Sequence, residues 1–261
     1  MTTVFHVITP GDHFSPRTGS AIPTVVDGLA RACRADPAGY EHVVVLDRTT
    51  YSPRYDSADV LEYAPAPASG RAGVYADYAR AAVGARRAHL AAAFAPAVHA
   101  LRSQEPGIVI AHNAPIVGEL LDGSGHRVIL HAHNRLPASM RPHEARRWLG
   151  PVDAVVCVSA DLADATRARL PRSLHPKVRA VPHGVDTARF APSPRPAGPT
   201  RFVFVGRTIP SKGADVLVEA SCWHGRTSRW RSSAATGSTR MPRSRVTSGT
   251  CASARRPHAR P

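Results

Sequence analysis

Two hydrophobic patterns alternate along this chain, and both stop at one place. Up to Ala220, short continuous apolar runs take turns with longer stretches whose apolar residues return every three or four positions. Continuous β-branched runs suit strands buried on both faces, and the three-to-four spacing suits the helices that cover them. "VFHVI" (4–8), "HVVVL" (42–46) and "VLEYA" (60–64) predict three strands, and "GIVIAHN", "RVILHAHN", "DAVVCVS" and "KVRAVPHG" predict four more. After the turn-rich "TPGDHFSPRTGS", the residues Val25, Val26, Leu29, Ala30 and Cys33 keep helical spacing. An alanine-rich stretch from Val74 to Arg102 predicts a long helix in which Pro96 marks a kink or a restart. "PIVGELL", "RPHEARRWLG" and "ADLADATRARL" complete the helical set. Alternation of this kind predicts an α/β fold, a Rossmann-like doubly wound parallel sheet over residues 1–190.

"FAPSPRPAGPT" holds four prolines in eleven residues, which predicts a stiff linker over 191–200. A second unit then opens at 201–220 with a buried strand, "RFVFVG", a loop, "RTIPSKG", and a helix, "ADVLVEA", carrying Val216, Leu217 and Ala220 on one face. This is the first βα step of an incomplete second Rossmann-like domain. Residues 221–261 contain no Leu, Ile, Phe, Tyr, Asn, Gln, Asp, Glu or Lys. A Ser, Arg, Thr, Ala and Pro mixture with so few large apolar groups predicts a disordered tail, because little burial offsets the entropy of ordering.

Charge changes meaning once it is localised. The formal net charge of +15 suggests a nucleic acid or an anionic surface as partner. Yet residues 221–261 hold nine arginines and no acidic residue, so the patterned part carries only the remainder. Trp223 and Trp230 among those arginines leave a basic nucleic-acid-binding protein as one reading of the tail. The four cysteines show no CxxC spacing, which argues against a disulfide framework and for a reducing compartment. No basic flank precedes a long apolar run, and no stretch reaches the ~18 apolar residues of a membrane span. The expectation is a cytoplasmic protein, with peripheral contact at the inner membrane face also open.

Two stretches suggest chemistry. The loop from Gly206 to Gly213 follows a strand and opens a helix, so backbone N–H groups and a helix dipole favour a phosphate there. Arg207 adds a bidentate donor and Lys212 a mobile charge, while Gly206 and Gly213 permit close backbone approach. Solvated loop charges are the plainer alternative. In "HAHN" (131–134), His131 and His133 point to the same face of a strand, the geometry of a metal-binding HxH pair. A metallohydrolase is therefore a rival reading, and a strand-end histidine bonded to a loop is a third.

Taken in order, "VVCVSADLADATRARL", "KVRAVPHGVDTARFAP" and "RFVFVGRTIPSKGADVLVEA" resemble the central segment of family 4 glycosyltransferases of the GT-B fold. In that family a strand ending in serine precedes a helix, an "NGVD…F.P" turn leads into the linker, and "GR…KG" opens the nucleotide-sugar domain. Here His183 replaces the usual Asn before Gly184, Val185 and Asp186, with Phe190 and Pro192 following. "TGSAIPTVVDGLAR" and "VILHAHN" extend the resemblance more weakly.

The resemblance implies a retaining, hexosyltransferase-like enzyme moving a sugar from a nucleoside diphosphate sugar to an acceptor hydroxyl of a glycan, glycolipid or cell-envelope precursor. It places Arg207, Lys212, Gly206 and Gly213 on the donor diphosphate, without a metal or other cofactor. His133 takes the place of the catalytic histidine that faces the cleft between the two domains. Gly19 and Ser20 stand where the glycine-bearing acceptor loop has Gly-Gly. Independently of the resemblance, His112 and Asn113 at the end of "GIVIAHN" are expected to line the same cleft, because open α/β sheets bind ligands outside the carboxyl ends of their strands. Asp12 and His13 read as acceptor contacts or as a simple turn. The family's pair of glutamates seven residues apart is missing, since no Glu follows Glu219. A reading-frame shift near residue 220, or a naturally evolved basic tail, accounts for the change in mid-helix. The chain is accordingly expected to be truncated in its nucleotide-sugar domain and to have little or no activity of its own.

Overall fold

In the computed structural model, residues 2–18, 20–34, 39–66, 70–192, 194, 204 and 212–223 are described. They form two compact units, Met1–Val185 and Asp186–Pro261. The first holds β1 (Thr2–Val7), α1 (Ala21–Arg34), β2 (Tyr40–Asp47), β3 (Asp59–Tyr63), α2 (Arg71–Ala82), α3 (Ala88–Arg102), β4 (Ile108–His112), α4 (Ile116–Leu120), β5 (Arg127–Ala132), α5 (Pro142–Leu149), β6 (Ala154–Cys157), α6 (Ala160–Arg167), a 3-10 turn (Arg172–Lys177) and β7 (Val178–Ala180). Its seven strands are all parallel in the order β3-β2-β1-β4-β5-β6-β7. Strand order therefore reverses between β1 and β4, the switch point beside which open α/β sheets bind ligands at their carboxyl ends.

Strand β2 shows why its sequence is an unbroken apolar run. Val44 and Leu46 pack with Ile8, Phe14 and Val26 of the α1 side. Val43 and Val45 point the other way, into the larger core with Phe94, Leu101, Ile116, Leu130 and Trp148. Both faces are covered, so alternation with polar residues is not available to the strand. On α1 the buried stripe is Pro23, Val26 and Ala30, while Leu29 is partly exposed.

The alanine-rich stretch is two helices, and the break is not at the proline. Helix α2 ends at Ala82, and Gly84 follows with φ of +78°, a left-handed conformation that costs glycine least. Pro96 lies inside α3, which runs on to Arg102. Two polar devices hold this region. Asp77 of α2 accepts the backbone N–H groups of His89 and Leu90 at 3.1 and 2.8 Å, which ties the first turn of α3 to α2. Arg87, preceding α3, grips Glu144 of α5 through Nε (2.6 Å) and Nη2 (2.8 Å), with Nη2 also reaching the Ser139 carbonyl at 2.7 Å. Glu144 is fully buried; burial raises its pKa, but the Arg87 hydrogen bond, the Arg141 N–H and the Arg87 charge outweigh that and hold the carboxyl below its usual range.

Within the second unit, α7 (Ala214–Trp223) is the described element. It continues three residues past Ala220, and Val216 is exposed. Apart from Phe204, the predicted strand 201–206 lies outside the described residues, as do the residues beyond Trp223. No helix among the described residues is long and apolar enough to cross a membrane.

Candidate functional site

Parallel register converts a few scattered histidines into a line. Val4 pairs with His42, His6 with Val44 and Ile110, and His112 with His131. Because side chains alternate with period two, these pairings put His42, His6, His112 and His131, with His133 just beyond β5, on one face of the sheet. Each hydrogen-bonded step moves one strand across and one pleat towards the carboxyl ends. His42 Nδ1 meets His6 Nε2 at 2.8 Å, His6 Nδ1 meets His112 Nε2 at 3.0 Å, and His112 Nδ1 meets His133 Nε2 at 2.8 Å. The rings of His6 and His42, His6 and His112, and His112 and His133 are stacked. His131 lies against His133 with centroids 4.2 Å apart, and the exposed His183, beyond β7, comes within 5.5 Å of His131 and 5.2 Å of His133.

A chain of Nδ1-to-Nε2 links allows two directions for its protons. In one, every Nδ1 carries hydrogen and His133 Nε2 is the last acceptor; in the other, every Nε2 carries it. His42 Nε2 is buried without a partner. The second direction would leave a buried N–H unpaired there, and the first leaves only a lone pair, so we assign hydrogen to Nδ1 along the line. Burial, then the neighbouring His42 and His131, lowers the pKa of His6 to about 3. Burial also lowers His42 and, with further histidine neighbours, holds His112 well below its usual value. His131 falls to about 4 through burial and His183, and His133 to about 3 through burial, His131 and His183. The line is neutral at pH 7, and no imidazole in it can serve as a ready cationic acid.

The strand-end backbone is held by one residue. Asn113 follows β4 with φ of +53°, and its Oδ1 accepts the N–H groups of His133 (2.8 Å) and Asn134 (3.3 Å). Its own N–H donates to the His131 carbonyl at 3.0 Å. Asn tolerates this conformation better than most residues, and here it fixes the turn that carries His133.

The other expected site residues divide into placed and undescribed ones. In the loop after β1, Ser20 Oγ donates to Asp12 Oδ2 at 3.1 Å, and His13 stacks on Tyr51 at 4.0 Å while its Nδ1 accepts the Tyr51 N–H at 3.2 Å. Asp12 is thus engaged within its own loop, and His13 with the segment after β2. Ser15 Oγ, donating to the Pro53 carbonyl at 2.6 Å, ties the same loop to the segment after β2. Ser20 belongs to this network; Gly19 lies outside the described residues, as do Gly206 and Arg207. Lys212 is exposed, and Gly213 has φ of +69° just before α7, a conformation that favours glycine. His112, His131 and His133 are legible as candidates in the sequence, whereas His6 and His42 are not among those it singles out. The signal was a polar residue inside or at the start of apolar strands, "VFHVI" and "HVVVL".

One nitrogen from each of His112, His131 and His133 lies within 4.8 Å of the others, a grouping that could hold a metal ion and that contains no carboxylate among the described residues. Among the described residues, the metallohydrolase reading therefore rests on these three imidazoles alone.

Comparison with known proteins adds the family. Among solved structures the chain is similar to Phytolacca americana UGT2 complexed with UDP-2fluoro-glucose and pterostilbene, at 12% identity over 71% of this chain and 53% of that one, with a TM-score of 0.41. It is also similar to a glycotransferase of kitacinnamycin, at 15% identity over 85% of this chain and 63% of that one, with a TM-score of 0.44. The chain therefore spans less than two thirds of the length of either. No curated protein matches. The sequence model of Glycosyltransferase Family 4 matches residues 22–189. That match covers more than half of the chain, from inside α1 to the turn beyond β7, and the chain accordingly belongs to Glycosyltransferase Family 4.

Proposed function

We propose that residues 1–190 are the acceptor-side half of a retaining glycosyltransferase that moves a sugar from a nucleoside diphosphate sugar to an acceptor hydroxyl. The observation that carries this reading is the family match over 22–189. Supporting it, His133 is held at the carboxyl edge of the sheet beside the switch point, where such folds take ligands. A neutral imidazole suits hydrogen bonding to a sugar hydroxyl better than proton donation, so His133 orients the sugar. Charge on the departing diphosphate falls to Arg207 and Lys212, with Gly206 and Gly213 letting the backbone approach, and this needs no metal. Ser20, Gly19 and His112 belong to the acceptor side. The acceptor is a glycan, glycolipid or cell-envelope precursor, reached from the cytoplasm with peripheral membrane contact. Specific nucleic-acid recognition has no part in the reading.

The same reading holds that the 261-residue chain has little or no transferase activity, because residues 221–261 offer no carboxylate for the donor sugar or ribose. Calorimetric titration with UDP-, GDP- and ADP-sugars is expected to give no saturable binding, and a micromolar Kd for any of them would end this part of the proposal. Joining residues 1–200 to a complete donor domain of a family member tests the rest. The chimera is expected to transfer sugar, and His133→Ala within it to lower kcat by 10²-fold or more. A folded chimera whose turnover ignores His133 would contradict the assignment.

A further inference from the structure

The histidine line does more than position His133, and three features of it converge on a ligand that the transfer reaction does not use. His112 Nδ1 and His133 Nε2 face each other at 2.8 Å, sharing one proton. His131, only 7% exposed, has its Nε2 buried with no hydrogen-bond partner. One nitrogen from each of the three residues falls within 4.8 Å of the others. A tetrahedral Zn²⁺ with nitrogen ligands at 2.0–2.1 Å sets those nitrogens roughly 3.3 Å apart. The pair at 2.8 Å has to open slightly and His131 to swing inwards, movements within the reach of small side-chain rotations.

We propose that His112, His131 and His133 form a transition-metal site that takes Zn²⁺, Co²⁺ or Ni²⁺, with the exposed His183 at its open side. All-imidazole ligation selects borderline ions of this kind over Mg²⁺ or Ca²⁺, which require oxygen. The metal replaces the shared proton and gives the buried His131 nitrogen its missing partner. His6 and His42 become the support behind the ligands. With Nδ1 on the metal, His112 must carry hydrogen on Nε2 and donate it to His6 Nδ1, and His6 Nε2 then donates to His42 Nδ1. The proton direction along the line reverses: the proton displaced from His112 leaves to solvent, one is taken up at His42 Nε2, and every imidazole stays neutral. The N–H left buried and unpaired at His42 Nε2, which disfavours this direction in the metal-free chain, is a cost that the metal–nitrogen bonds offset. A ligand histidine whose other nitrogen donates to a fixed acceptor is the usual support of such sites. Because the metal occupies His133, it competes with the sugar contact proposed above; the site itself does not depend on that proposal.

The test uses the full, untagged chain and the metal alone. Equilibrium dialysis against Zn²⁺ with elemental analysis is expected to return one ion per chain, and His131→Ala to weaken binding at least tenfold. The exposed His99 stands apart from the line, so His99→Ala is expected to bind as the parent does. Replacing Zn²⁺ by Co²⁺ gives a readout that needs no variant: an intense visible absorption of four-coordinate cobalt is expected. Absence of saturable binding, binding indifferent to His131→Ala, or only the weak spectrum of six-coordinate cobalt would overturn the site. Metal binding is read on the full chain without any donor, and transfer is read on the chimera, so failure of the metal site and failure of the glycosyltransferase reading are told apart by separate measurements.

Discussion

At the scale of single residues, Asn113 concentrates two effects that substitution can separate. Its φ of +53° disfavours residues with a Cβ, and its Oδ1 satisfies two backbone donors at the turn bearing His133. Asn113→Gly removes the acceptor and relieves the backbone, whereas Asn113→Ala removes the acceptor and keeps the strain. Both are expected to lower stability in urea unfolding, with the alanine variant about 1 kcal/mol below the glycine variant. Equal midpoints would mean that the backbone there is not strained. How much of this was legible beforehand differs by residue. His133 was reached through resemblance, and its partner His131 through the two-residue spacing of a strand. Asn113 could only be grouped with His112 at a strand end, because the sequence does not show that its side chain folds back onto the next strand's turn. His6 and His42 stood in plain sight as polar residues in or beside apolar runs, but only the strand order makes them neighbours of His112.

At the scale of elements, the helices are held by contacts the hydrophobic pattern does not encode. Strand positions followed from their continuous apolar runs, since both faces of the sheet are covered and the pattern has no other solution. The long alanine-rich stretch misled because Pro96 is the more visible interruption, yet the chain turns at Gly84, where only a positive φ is required. The junction is then locked by Arg87 and Glu144, whose pairing joins the start of α3 to α5 beneath Trp148, with the guanidinium 5.5 Å from the indole. Arg87→Ala leaves Glu144 charged and buried without its partner, and is expected to cost about 3–5 kcal/mol in chemical denaturation. The double replacement Arg87→Met with Glu144→Leu is expected to recover most of that loss, because the cost lies in the orphaned charge. A short helix gives a second case. A Cβ on Gly118 of α4 would collide with the Trp148 carbonyl oxygen and the Val152 side chain, the first of them backbone that cannot turn aside. Gly118→Ala is expected to destabilise by about 1–3 kcal/mol, read as a drop in Tm, despite the better helix propensity of alanine.

At the scale of the whole molecule, the histidine line makes folding depend on pH in a window where few other groups titrate. His6, His42, His112, His131 and His133 all have lowered values in the folded chain, His6 and His133 to about 3 and His131 to about 4, against 6.5 for a free imidazole. Below 6.5 the unfolded chain binds protons at these positions and the folded chain does not. Stability is therefore fully present above pH 6.5 and is lost as pH falls towards the folded values, the direction expected for a group whose folded pKa is depressed. Each such histidine contributes a slope of up to about 1.4 kcal/mol per pH unit, so several acting together weigh heavily against a net stability of about 5–15 kcal/mol. Ordinary carboxylates gain protons mainly below about pH 5, which leaves the interval from 6.5 to 5 to the histidines. Tm is expected to fall steeply across that interval, while His6→Gln, which keeps a polar side chain but cannot titrate, is expected to flatten the fall. A Tm that stays level from pH 7 to 5 would mean that the imidazoles are charged in the folded chain or open to water. Zn²⁺ at pH 7 is expected to raise Tm through binding to the folded form alone, and acidification to erase that gain, since protons and metal compete for the same nitrogens.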